Sequence, residues 1–167
     1  MTKFGNSKKN RFLEKRIKAS IESHQDTLIE RCKFNFSYMD FSQKSGQTFN
    51  ELEKKQLADL LNKLKDFSKE TLGYWENMKM GGGKKGKNYN VLEIYGDFPK
   101  KSEFHHPVFV PHEARWGRFR LNNLERLIGF TLPPKYHNTR PFKKDYCFDC
   151  NTFYVVFYDP KHKFYAT

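Results

Sequence analysis

The run 152–158, Thr-Phe-Tyr-Val-Val-Phe-Tyr, constrains this chain more than any other feature. It is β-branched and aromatic, has almost no polar position, and is too short for a buried helix, so it suits a central strand covered on both faces. Such a strand needs partners on its edges, and the residues just before it supply two. Trp116-Gly117-Arg118-Phe119-Arg120-Leu121 and Arg126-Leu127-Ile128-Gly129-Phe130-Thr131-Leu132 are joined by Asn122-Asn123-Leu124-Glu125, a hairpin-length connection rich in turn formers. Pro133-Pro134 closes the second of them.

Further upstream, Phe34, Phe36 and Tyr38 alternate with Asn35, Ser37 and Met39, which predicts a strand ending near Asp40, and Val91-Leu92-Glu93-Ile94-Tyr95 predicts another. Thr48 with Glu51 forms a capping box. Leu52, Leu57, Leu60, Leu61, Leu64 and Phe67 then mark one face of a helix reaching about Ser68 that should cover the sheet. Pro99, Pro107 and Pro111 predict a long irregular passage before Glu113, of the kind that usually carries function. A polar insertion fills 135–151. The expected fold is α+β, with helices packed on one face of a mostly antiparallel sheet.

Charge narrows the partner. The 31 Lys and Arg against 19 Asp and Glu give a formal net charge of +12 on 167 residues, so a polyanion is expected. With 37% apolar and 17% aromatic residues there is material for one core. That core is assigned to 33–167, preceded by a basic helical extension over 1–32, where Leu13, Ile17, Ile21, Leu28 and Cys32 form a narrow apolar stripe. Lys8, Lys9, Arg11, Lys15, Arg16 and Lys18 on that helix would contact nucleic-acid backbone without reading sequence, or else simply be solvated.

No secretory signal and no stretch of about 20 apolar residues is found, so a soluble, cytoplasmic protein without membrane contact is expected. Three cysteines, Cys32, Cys147 and Cys150, are odd in number and suit free thiols in a reducing compartment. Cys147 and Cys150 with Cys32, His105, His106, His112 and His137 raise a zinc reading, but a structural site commonly takes two such Cys pairs, so neither metal nor cofactor is expected.

Arg118 and Arg120 lie two apart and project to one face of their strand, as a phosphate clamp would require or as a solvated sheet face would allow. Arg115 flanks them. Trp116 and Phe119 either stack on unpaired bases or pack in the core. Lys84 and Lys85 stand in the glycine-rich segment 81–87, which reads as a basic loop able to approach phosphate or as a linker. Lys163 adds charge near the C-terminus.

In layout (a strand, a covering helix, a long loop, then three strands with arginines in the middle and His and Tyr at the end) residues 33–165 resemble the RelE/YoeB-type toxins, small mRNA endonucleases. The sharpest likeness runs from Trp116 through Phe130, where Arg120-Leu121, a four-residue turn and Arg126-Leu127-Ile128 look like the family's paired arginine strands. The resemblance implies a metal-independent cut in which a 2′-hydroxyl attacks the adjacent phosphate, with RNA and the ribosome as partners and an antitoxin lying over the cationic cleft. Such a reaction needs a base for the 2′ proton, an acid for the departing 5′ oxygen and cations on the phosphorane.

By that resemblance Arg126 corresponds to the transition-state arginine, and His162 with Tyr165 to the family's C-terminal His and Tyr, adjacent there and three apart here. His162 is then the expected general acid. The base is left open among Glu103, which resembles the family's loop glutamate, Glu113 and His112. The alternatives are a non-catalytic nucleic-acid or ribosome-binding module and a gyrase-targeting toxin like the ParE relatives.

Overall fold

The computed structural model describes residues 21, 28–80 and 89–165. The extension expected over 1–32 lies almost entirely outside the described residues, as do Lys84 and Lys85. Five strands form the main sheet: β1 (Lys33–Asn35), β4 (Leu92–Gly96), β5 (Arg115–Arg120), β6 (Arg126–Thr131) and β7 (Thr152–Asp159), in the spatial order β1-β7-β6-β5-β4. Only the β1–β7 pair is parallel. A small second pair joins β2 (Lys79–Met80) to β3 (Tyr89–Asn90). Two helices, α1 (Lys54–Phe67) and α2 (Leu72–Asn77), complete a mixed α/β architecture.

The apolar run 152–158 is central, as its composition demands: β7 sits between β1 and β6, and Phe153, Val155, Val156, Phe157 and Tyr158 are all buried. On one face Leu92, Phe119, Leu127, Phe153 and Val155 pack against Leu60 and Phe67 of α1 and Leu72 of α2. On the other, Trp116, Ile128, Phe130 and Phe157 are covered by Phe104, Val110 and Ala114 from the irregular passage and by Phe164. Both helices therefore lie on one face, and the proline-rich passage, expected to be functional, is the cover of the second face. Edge-on contacts such as Phe98 on Trp116, with ring centroids 4.9 Å apart, build that layer.

Several expectations are corrected. The first strand stops at Asn35, because the Asn35 side chain accepts from the Ser37 amide at 2.9 Å and turns the chain. The Thr48–Glu51 capping box exists, but it closes a short 3-10 turn over Phe49–Glu51. A second box, with the Glu53 amide donating to Gln56 at 3.0 Å, starts α1 afresh at Lys54. Of the apolar face expected there, Leu60 and Phe67 are buried while Leu61 stays exposed. The helix α2, capped by Thr71 accepting from the Tyr74 amide at 3.0 Å, was not expected. Cys32, placed in the extension by sequence, belongs to the core, its thiol donating to the Phe67 carbonyl at 3.2 Å.

Candidate functional site

Side-chain alternation assigns the arginines. Trp116 is 1% exposed in the layer beneath the proline-rich passage, so Arg118 and Arg120, two and four residues on, point to that same face of β5. The cross-strand register extends the row: Glu93 stands opposite Arg118, and Arg120 is paired with Arg126, which is paired with Asp159. Three guanidiniums and two carboxylates therefore line one end of one sheet face. Arg118 and Arg126 are buried, and their mutual repulsion is offset by those carboxylates.

After β7 the chain turns back over this row. The Asp159 carboxylate, itself fully buried, accepts from the Lys161 amide at 3.1 Å and the Phe164 amide at 2.8 Å, which fixes the turn 160–163 while the Phe164 ring enters the core. His162, at the tip of that turn, has φ +58°, a left-handed conformation uncommon for a residue other than glycine. Its Nε2 meets the Arg118 Nη1, and Arg118 Nη2 donates to Glu93 at 2.8 Å. A guanidinium has no acceptor. For this contact to be a hydrogen bond Nε2 must accept, which requires a neutral imidazole with its proton on Nδ1. Burial, with Arg118 and Arg126 nearby, pushes the His162 pKa down to about 4.

Arg126 differs in kind from Arg118. Its Nη1 donates to the carbonyls of Asn122 at 2.7 Å and Glu125 at 2.8 Å, and its Nη2 to Asn123 at 3.2 Å, so the side chain staples the β5–β6 turn from beneath. Burial and the neighbouring Arg120 and Arg118 draw its pKa down to about 10. Two buried polar atoms in this cluster, Arg126 Nε and the Tyr95 hydroxyl, have no partner among the described residues. Tyr95 lies under the Arg118 guanidinium, 5.5 Å from ring centroid to carbon, and stacks at 4.6 Å on Tyr165, which is 39% exposed.

A groove of about 750 Å³ lies beside the cluster without being lined by its arginines or by His162; the β5–β6 turn walls one side and Pro160, Lys161 and Lys163 the other, with Lys44, Gln47 and the carboxylate residues Glu51 and Glu125 also lining it. Glu103 stands at this rim, ion-paired to Lys163 at 2.5 Å and accepting from Ser45 at 3.3 Å; the lysine holds its carboxyl below the ordinary range.

Of the residues singled out by sequence, Arg118, Arg120, Arg126, His162 and Tyr165 are brought together, with Lys163 and Glu103 alongside. The others are not. His112 and Glu113 are exposed before the first residue of β5, at the end remote from Arg120, where His112 stacks on His106 at 6.1 Å. Arg115, three residues before Arg118, projects to the helix face beside Leu72, Leu92 and Cys150. Trp116 and Phe119 are core residues with no surface to offer a base. Among the described residues no group of three or more His, Cys, Asp or Glu is placed to hold a metal ion; Cys150 donates to the Pro133 carbonyl at 3.3 Å and Cys147 is exposed.

Sequence reasoning missed Glu93, Tyr95 and Asp159. Glu93 and Tyr95 were the alternate positions of a predicted strand, a signal available had the partner strand's register been known. No helix of the described residues is long and apolar enough to cross a membrane. Compared with protein-family models, with curated proteins and with solved structures, the chain matches none significantly.

Proposed function

We propose that this protein is an endoribonuclease of the RelE/YoeB kind, which it resembles in layout, cutting RNA by attack of a 2′-hydroxyl on the adjacent phosphate without need of a metal. The observation that carries the reading is the contact of a neutral His162 with Arg118 inside a buried arginine cluster. A phosphodiester drawn along the groove competes for the Arg118 guanidinium, and the Nε2 lone pair that Arg118 covers in the free protein becomes available as it does so. A neutral imidazole accepts a proton, so His162 is the base for the 2′-hydroxyl rather than the acid first expected.

Arg118 and Arg120 then supply the positive charge for the phosphorane, with Glu93 orienting Arg118. Tyr165, half-exposed on Tyr95, carries a transferable proton for the leaving 5′ oxygen. Arg126 holds the turn on which this geometry rests. The lysines of the groove, Lys44, Lys161 and Lys163, guide the strand by charge. The ribosome and an antitoxin that shields the cationic cleft are the protein-side partners this reading implies.

A non-catalytic nucleic-acid-binding module is favoured by one observation: Arg118 is engaged by Glu93 and His162, and both Nη atoms of Arg126 by the turn, as in structural arginines. Incubating the purified protein with messenger RNA, with and without ribosomes and in the presence of a chelator, separates the two. Fragments ending in 2′,3′-cyclic phosphate are expected, and binding without cleavage would establish the module instead.

A further inference from the structure

The connection between β6 and β7 displays two aromatic rings to solvent in a way that core packing does not explain. Phe142 is 87% exposed and Tyr146 is 85% exposed, whereas most of the large apolar side chains of the sheet are fully buried. The segment that carries them is built, not loose. The Asn138 amide donates to the Phe148 carbonyl and the Phe148 amide to Thr139, both at 2.9 Å, closing a narrow loop, and the Lys144 amide donates to Pro141 at 3.1 Å to form its tip. Tyr136 packs edge-on against Phe148 at 5.9 Å, giving the loop an aromatic base of its own. Lys143 adopts φ +59°, which turns the chain between the two exposed rings.

The charge around the rings selects their occupant. Within 136–148, Arg140, Lys143 and Lys144 stand against the single carboxylate of Asp145, and all three cations are exposed. Exposed aromatics interleaved with exposed cations repel a basic or purely apolar partner and match a chain that offers flat π-faces on a polyanionic backbone. A duplex hides its base faces, so the strand must be single.

We infer that the 136–148 loop is a docking platform for single-stranded RNA, with Phe142 and Tyr146 each stacking on a base and Arg140, Lys143 and Lys144 holding the flanking phosphates. The choice of RNA over DNA rests on the nuclease reading above. The platform itself does not, because it leaves β6 at Thr131 and enters β7 at Thr152, the end of these strands opposite Arg126 and Asp159. The root of the platform is one length of β6 from Arg126, roughly 15–20 Å at the rise of a strand, and the rings lie beyond that root, so a strand must be several nucleotides long to reach from one site to the other.

The test uses the full chain and a fluorescently labelled unstructured RNA of about twelve nucleotides, its scissile 2′-hydroxyls replaced by 2′-methoxy groups, with the DNA of the same sequence alongside. Anisotropy titrations of the wild type and the double variant Phe142→Ala/Tyr146→Ala are expected to show at least tenfold weaker RNA binding by the variant. Thermal unfolding should be unchanged, since neither ring is packed. Cleavage of a dinucleotide, too short to span the two sites, should also be unchanged. An equal RNA affinity for variant and wild type would overturn the platform and leave the rings to a protein partner, and tighter binding of the DNA would overturn the choice of RNA. If the methoxy RNA binds through the two rings and the unmodified RNA of the same sequence is never cut, the platform is upheld and the nuclease reading sinks.

Discussion

Arg118 and His162, separated by 44 residues, meet through Nη1 and Nε2 across a sheet face that also buries Asp159 beneath the turn joining them. In the proposed reaction the atom at stake is Nε2, which Arg118 covers in the free protein. If it is the base, His162→Asn, which keeps a side chain tolerant of the left-handed backbone, lowers kcat/KM for RNA cleavage by about 10²–10⁴-fold with little change in RNA affinity. Arg118→Lys should lose both affinity and rate, because an ammonium cannot reproduce the planar fork. Single-turnover cleavage and anisotropy on the same RNA decide it; unimpaired cutting by the Asn variant removes His162 from the chemistry.

The pH profile follows from the depressed pKa of His162, about 4 in the free protein. A base must be unprotonated, and kcat/KM reports the free enzyme. Cleavage measured as kcat/KM is therefore expected to stay level from pH 7 down through pH 6 and to fall only as pH approaches 4. An acid limb centred near 6.5 would mean an imidazole that is not held by Arg118.

The same depression links to stability, with a definite sign. Between about pH 6.5 and 4 the unfolded chain binds a proton on this imidazole that the folded chain does not, so stability is fully present above 6.5 and is lost as pH falls toward 4. The full shift would correspond to about 3 kcal/mol, and solvent screening of a side chain that is only partly buried reduces the expected loss to the order of 2 kcal/mol. Urea unfolding of wild type and His162→Asn at pH 7 and pH 4.5 should show a smaller acid penalty in the variant.

Arg126 is a structural test case. Arg126→Ala takes the side-chain donor from the Asn122 and Asn123 carbonyls, leaves Glu125 with the Leu121 amide alone, and opens a cavity in a buried row, which should cost about 2–4 kcal/mol. Calorimetry should register a fall in Tm of roughly 5–15 °C. A variant as stable as the wild type would show that the staple is dispensable and return Arg126 to the candidates for direct phosphate contact.

Gly117 lets β4 approach β5. A Cβ there would lie 2.6 Å from Ile94 Cδ1 and 2.8 Å from the Glu93 carbonyl, so Gly117→Ala must push away the strand that brings Glu93 to Arg118. A destabilisation of about 1–3 kcal/mol is expected, measured by urea unfolding, together with weaker RNA cleavage than the stability loss alone explains.

What could be read before folding was what short-range pattern encodes. The composition of 152–158 announced a central strand, the hairpin 116–132 was visible in two runs and four turn formers, and Leu60, Leu64 and Phe67 marked a covering helix by their spacing. The one-sided face of Arg118 and Arg120 followed from strand period alone. Tertiary structure decided the rest, because register and turn geometry depend on residues far apart in the chain. No local signal tells that β1 runs parallel to β7, that Glu93 falls opposite Arg118, or that Arg126 folds back on the carbonyls of its own turn. Nor does a histidine in a polar C-terminal segment disclose that a buried carboxylate one turn earlier will aim it at a guanidinium from another strand, and it is that long-range closure, not the presence of the residues, that sets its protonation state and hence its chemistry.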